Sequence, residues 1–199
     1  MRESGRGQSV VLLLHEIYGL NEHMDFLKRR LERHRWEAVV PDLLEGRGPF
    51  PYEREEEAYR HFTERIGFPA AADRAVSVLT DLRRRYDRVC VLGYSAGATV
   101  AWICGATGLC DGVVGFYGSQ IRNHTSLYPR CPTLLFFPER ERSFDVDALI
   151  GLLHRRDRLR IEKMAGRHGF ADPFSDRYDR RSSLRATRCL LSFLHDLPS

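Results

Sequence analysis

Apolar residues gather in six short runs, at 9–15, 36–41, 88–94, 112–117, 132–137 and 158–163. The first five are nearly unbroken, as expected for strands covered on both faces. The sixth alternates more and suits a place near an edge. Between the runs, apolar positions recur at helical spacing. Asn21 is placed to cap a helix reaching about His34, with Met24, Leu27 and Leu31 on one face. The segment from Glu53 to Arg85 predicts two helices broken near Gly67-Phe68-Pro69. Further helices are expected near 96–105, 146–156 and 176–195. Strands alternating with helices predict right-handed βαβ units, and hence a mostly parallel sheet of about six strands with helices on both faces. No Pro/Gly/Ser-rich linker interrupts the pattern, so one α/β domain is expected over 1–199.

Composition narrows the picture. A chain of 199 residues, 43% hydrophobic and 29% charged, can bury about 70% of its unfolded surface in one core. The net charge is +4, carried almost wholly by arginine. The basic residues are scattered among acids, and Arg83-Arg84-Arg85 falls late in an expected helix, where cations suit the helix dipole. That arrangement argues against nucleic-acid binding. Of the five cysteines, Cys90, Cys104 and Cys189 sit in apolar runs and read as small core residues, while Cys110 and Cys131 flank strands. Their spacing suggests no zinc site, and the chemistry below calls for no cofactor. No stretch is long enough to span a membrane and no signal peptide opens the chain, so a cytoplasmic location is expected.

In parallel sheets of this kind the site lies beyond the carboxyl ends of the strands. The segment RVCVLGYSAGATVAWICG puts a Gly-x-Ser-x-Gly corner where the third strand meets a helix, with Ser95 at its tip. Glu139, Glu141 and Asp145 follow the fifth strand, and His168 follows the sixth. The chain order Ser, acid, His is the one expected of a nucleophile on a strand–turn–helix elbow. The residue types fit acyl transfer. An imidazole can take the serine proton and return it to the leaving group, while a carboxylate fixes the imidazole tautomer. Gly93 and Gly97 remove side chains from a crowded corner. The Ala96 N–H, at a helix N-terminus, is the first candidate donor to an oxyanion, and the Ile17 N–H after the first strand is the second. Any of the three acids could orient His168. The other histidines suggest no role.

These stretches together resemble the dienelactone hydrolase family of α/β-hydrolases, from about residue 9 to 195. LLLHEIYGLNEHMDFLKRRLERHRWEAVVPDLL is similar to the family's first strand, Glu-bearing loop, helix and second strand. VLGYSAGA resembles its nucleophile elbow, GVVGFYG its next strand and Tyr-Gly turn, and AGRHGFADP its histidine loop. The resemblance implies a compact α/β-hydrolase fold, without the strand or hairpin that precedes the first shared strand in relatives. It implies Ser95 as nucleophile, His168 as base and, counting from Pro132, Glu141 as the acid. It also implies that Glu16 is the family's buried glutamate, in contact with the nucleophile. Two departures shape the expected substrate. The family's namesake has a Cys nucleophile where Ser95 stands, which points to general ester chemistry. It also has, four residues after its histidine, an arginine that holds the substrate carboxylate. Asp172 stands there, which argues against an anionic dienelactone.

The expected activity is therefore hydrolysis of a small or medium carboxylic ester, thioester or lactone through an acyl-enzyme. A small molecule is the only partner implied. Tyr18, Phe50, Tyr117 and Phe170 either wall the pocket or fill core at the sheet edge, and the Gly/Pro-rich loop 43–53 is either a partial lid or an ordinary surface connection. A peptidase or transacylase would share the same chemistry. A non-catalytic binding protein retaining the fold would lack a well-placed acid.

Overall fold

The computed structural model describes residues 8–154 and 157–198. Among them are six strands: β1 Ser9–Leu14, β2 Glu37–Val39, β3 Arg88–Tyr94, β4 Gly112–Phe116, β5 Thr133–Arg140 and β6 Leu159–Arg167. They form one sheet in the order β2-β1-β3-β4-β5-β6, and every neighbouring pair is parallel. The order reverses direction between β1 and β3, the type of switch point where parallel sheets open a crevice.

The helices are α1 Glu22–Arg33, α2 Glu55–His61, α3 Gly67–Arg85, α4 Ala96–Gly105, α5 Val146–Leu153 and α6 Arg180–Asp196. The two-residue period of the strands sorts them onto the two faces. Val10, Leu12, Leu14, Val89 and Val91 pack with Leu79 of α3 and with Val100 and Ala101 of α4. Val11, Leu13, Cys90 and Leu92 pack with Met24, Leu27 and Leu31 of α1 and with Ala186, Leu190 and Leu194 of α6. Leu135 and Phe137 complete a third cluster with Trp102 and with Leu149 and Leu153 of α5. Each such side chain, fully buried, contributes about 1.5–3 kcal/mol over its exposed state. The central strands β1, β3 and β4 thus form a slab buried on both faces.

Several boundaries differ from those the pattern predicts. β2 is three residues long and forms an edge, so Glu37 is exposed; only Ala38 of that strand is buried. Its apolar look comes from Trp36, which packs in the core just before the strand. The expected helix break near Gly67 is a wide turn, Phe62–Ile66, that leads straight into α3, with Gly67 at φ 72°. α6 starts at Arg180 because the Asp179 carboxylate accepts from the Ser182 N–H at 2.7 Å. The end of the helix expected at 146–156, positions 155 and 156, lies outside the described residues. β5 and β6 run on to Arg140 and Arg167, beyond their apolar runs. That extension carries polar residues out past the slab to the carboxyl edge.

One contact ties the slab to the elbow. A Cβ placed on Gly97 would lie 2.2 Å from the Leu14 carbonyl oxygen and 2.6 Å from that of His15. Both neighbours are backbone, so nothing flexible can give way. Gly97→Ala is therefore expected to cost about 3 kcal/mol, the upper end of overpacking. The check is urea denaturation, where the midpoint should fall at an unchanged slope.

Candidate active site

Ser95 stands between β3 and α4 with φ 51° and ψ −113°, a strained conformation for a residue with a side chain. The strain is held from both sides. The Ser95 N–H donates to the Phe116 carbonyl at 2.9 Å, and the Ser95 carbonyl accepts from the Ala98 N–H at 3.1 Å. Gly93 makes the bend possible, since a Cβ there would lie 2.1 Å from the Gly97 carbonyl oxygen. The Ser95 side chain is thereby lifted off the sheet, and the Ala96 N–H follows it in the first turn of α4, where no intrahelical acceptor exists.

Two neighbouring strands deliver the other groups. Arg140 of β5 pairs with Arg167 of β6 after a register shift between Pro138 and Arg140. The residues that follow the two strands are Glu141 and His168. His168 Nε2 lies 2.8 Å from Ser95 Oγ, and His168 Nδ1 lies 2.7 Å from Glu141 Oε2. A carboxylate only accepts, so Nδ1 carries the proton and Nε2 is free to accept from the serine hydroxyl. Glu141 Oε1 is held in turn by the Arg142 N–H at 2.9 Å, the Ser143 N–H at 3.3 Å and the Ser143 hydroxyl at 3.1 Å. Burial alone would raise the Glu141 pKa. The hydrogen bond and charge of His168, together with these backbone donors, outweigh it and bring the value down to about 2. The other two candidate acids are placed elsewhere. Glu139 is exposed, and the Asp145 carboxylate caps α5 by accepting from the Ala148 N–H at 3.0 Å.

A cleft of about 330 Å³ opens beside Ser95 and His168, within the range of small-ligand sites. Glu16, Ile17, Tyr18, Tyr52, Asp172 and Arg177 are among its walls. Tyr18 meets Tyr52 edge-on, with ring centroids 4.7 Å apart. Tyr117 and Phe170 do not line this cleft, contrary to expectation. Both are fully buried, because the fold packs them behind His168. The Tyr117 ring lies 4.8 Å from the imidazole and 5.5 Å from Phe170, so the two rings brace the histidine loop instead. Phe50 is also buried, packing on His61. Of the loop 43–53, Tyr52 is the residue that reaches the cleft.

Glu16 is nearly enclosed and its Oε1 has no hydrogen-bond partner, Ser95 included. The Tyr117 hydroxyl faces it without completing a hydrogen bond. Burial, with the Asp172 charge adding to it, raises the Glu16 pKa to about 7 against the opposing pull of His168 and Arg177. Asp172 is buried as well. It accepts from the Tyr52 hydroxyl at 2.5 Å and from the Phe174 N–H at 2.9 Å. His23 lies 3.6 Å from Asp172, but burial lowers its pKa to about 4 and keeps it neutral.

Sequence reasoning missed Tyr52, Glu55, Ser175 and Arg177. The last two follow His168 by seven and nine positions on its own loop, so proximity in sequence was a usable signal. It also missed His15, whose Nε2 accepts from the Leu43 N–H at 2.9 Å while Nδ1–H donates to the Glu16 carbonyl at 2.6 Å. That neutral imidazole, its pKa lowered by burial, fastens the loop bearing Glu16 and Ile17 to the segment after β2. No His/Cys/Asp/Glu group among the described residues could hold a metal ion, and no described helix is long and apolar enough to cross a membrane.

A model of the dienelactone hydrolase family matches residues 2–197. The chain belongs to the dienelactone hydrolase family. It is 35% identical over 173 residues to YczH, an uncharacterized protein of Bacillus subtilis (strain 168), covering 86% of this chain and 85% of that one. Its fold is similar to that of a dienelactone hydrolase-like promiscuous phosphotriesterase from metagenomic libraries, with a TM-score of 0.79 and 18% identity, covering 98% of this chain and 89% of the other. It is also similar to the dienelactone hydrolase of Anabaena variabilis, with a TM-score of 0.70 and 18% identity over 97% and 88% of the two chains. At such low identity these two likenesses speak for the fold. Within this hydrolase family, the α/β-hydrolase architecture expected of the chain is present.

The raised pKa of Glu16 has a consequence for stability. Its folded value of about 7 lies above the ordinary 4.5, so the carboxyl destabilises the fold as pH rises through that interval. The cost is complete above pH 7, at about 3 kcal/mol by linkage. Glu16→Gln is expected to raise unfolding free energy at pH 8 and to leave it nearly unchanged at pH 4. Denaturant titrations at the two pH values measure the difference.

Proposed function

We propose that the chain is a serine hydrolase that cleaves small to medium carboxylic esters, thioesters or lactones through an acyl-enzyme. One observation carries the reading: a single imidazole bonds Ser95 Oγ on one nitrogen and the Glu141 carboxylate on the other. The family membership supports hydrolysis, and the small cleft supports a compact substrate.

In the proposed cycle the substrate carbonyl oxygen faces the Ala96 and Ile17 N–H groups. Ser95 Oγ attacks the carbonyl carbon as its proton passes to His168 Nε2. The C=O electron pair moves onto oxygen, where the two donors stabilise it; losing one such donor costs about 2.7–4 kcal/mol. As the tetrahedral adduct collapses, the bond to the leaving group breaks and that group takes the proton from His168. Water then repeats the sequence on the acyl-enzyme, giving its proton to His168 and releasing the acid. Glu141 stays ionised throughout, consistent with its depressed pKa, and stabilises the imidazolium that forms twice per turnover.

Glu55, Tyr52 and Tyr18 complete the wall on the acyl or leaving-group side. The serine nucleophile gives an oxygen ester, whose deacylation needs the same base as its formation.

A fluorophosphonate is expected to leave a stable adduct on Ser95, located by mass spectrometry of the digested protein. Ser95→Ala should abolish labelling, and Glu141→Gln should lower kcat on p-nitrophenyl acetate by about 10⁴-fold through the wrong tautomer. Glu139→Gln, by contrast, should leave turnover at the wild-type level. An unlabelled Ser95 with no esterase turnover would favour a binding protein that retains the fold.

A further inference from the structure

The charged groups of the cleft are unevenly paired. Arg177 and Glu55 both line it. Arg177 Nη1 donates to Glu55 Oε1 at 3.3 Å, and its Nη2 bonds Glu55 Oε2. The flat fork of the guanidinium, the geometry that recognises a carboxylate, is therefore already occupied by one. Glu16 and Asp172 line the same cleft, and neither is ion-paired to an arginine or lysine among the described residues. Asp172 relies on the Tyr52 hydroxyl, the Phe174 N–H and a neutral His23. Beside Ser95, then, the arginine that lines the cleft is paired with Glu55, and two carboxyl groups stand without an arginine or lysine ion pair of their own among the described residues.

We infer that Glu55 determines the charge preference of the cleft: by holding Arg177 it leaves no free cation there to offset Asp172, so that neutral acyl groups are preferred over carboxylate-bearing ones. This rests on the hydrolase reading of Ser95. The same geometry makes Arg177 a latent carboxylate site. Glu55 and Arg177 are both part-exposed, with side chains 46% and 34% accessible. A pair so placed adds little to stability, so removing Glu55 frees the guanidinium without undoing the core. Asp176 Oδ1 also lies 3.8 Å from Arg177 Nε, but its side chain stands out in solvent and competes weakly for the fork. An incoming carboxylate on the acyl group would then replace that of Glu55. Charge preference would thus be decided by a residue 40 positions from the nucleophile in sequence, on a helix outside the triad-bearing strands.

The test compares two fluorophosphonates of equal chain length, one ending in a methyl group and one in a carboxylate, by the rate at which each labels Ser95. Wild-type protein should react faster with the neutral probe, and raised ionic strength should narrow the gap by screening. Glu55→Gln, and Glu55→Ala as a second variant, should shift the rate ratio towards the carboxylate probe by about tenfold, the scale of one charge-assisted pair. Adding Arg177→Gln to either should cancel the shift. Labelling by both probes with a ratio that Glu55 variants leave unmoved, or a wild-type preference for the carboxylate probe, overturns the inference and leaves the hydrolase reading standing. No labelling of Ser95 by either probe overturns both.

Discussion

Backbone touches backbone where α4 passes the end of β1, and the geometry of the site depends on that approach. The Leu14 carbonyl and the Gly97 backbone are close enough that no side chain fits between them. With α4 pressed against the sheet, the connection from β3 has room only for a sharp bend, and Ser95 takes the positive φ of that bend. A looser packing would let Ser95 relax into an ordinary backbone conformation and drop its hydroxyl from the reach of His168. Gly93 and Gly97 are therefore structural requirements of the bend that projects the Ser95 hydroxyl.

The second constraint is the pairing of two adjacent strands. β5 and β6 continue past the apolar slab, and their shifted register sets Glu141 beside His168. The backbone donors of Arg142 and Ser143 then satisfy the carboxylate on its other oxygen. Tyr117 and Phe170 fill the space behind the imidazole. Ser95, Glu141 and His168 thus each stand one residue beyond a strand of the same sheet. The other cleft residues come from the segments between and after the strands. Tyr52 and Glu55 arrive from the segment after β2, while Asp172, Ser175 and Arg177 arrive from the loop after β6.

The strand ends hold Ser95, Glu141 and His168, and the segments between strands supply the remaining charged and aromatic groups of the cleft. The buried carboxyl groups of Glu16 and Asp172 make this loop region costly in stability, as burial of underpaired acids requires.

Much of this was readable from the chain alone. Unbroken apolar runs marked the strands, because a strand covered on both faces must be apolar throughout. The elbow was readable because its crowding demands glycine at two fixed offsets from the serine, and His168 was readable because it closes the last strand. The acid was ambiguous: Glu139, Glu141 and Asp145 lie within seven residues, and composition cannot distinguish them. Strand register sets Glu141 beside His168 and the capping of α5 engages Asp145, and both are relations between segments distant in sequence or between neighbours whose orientation only the fold sets. Whether Tyr117 and Phe170 wall the cleft or fill core was open for the same reason, since nearness to a strand tip says nothing about which way a ring packs. The pairing of Glu55 with Arg177, 122 residues apart, left no local trace at all. Local sequence determines which elements form and what chemistry they can carry; the close packing of those elements determines which groups meet.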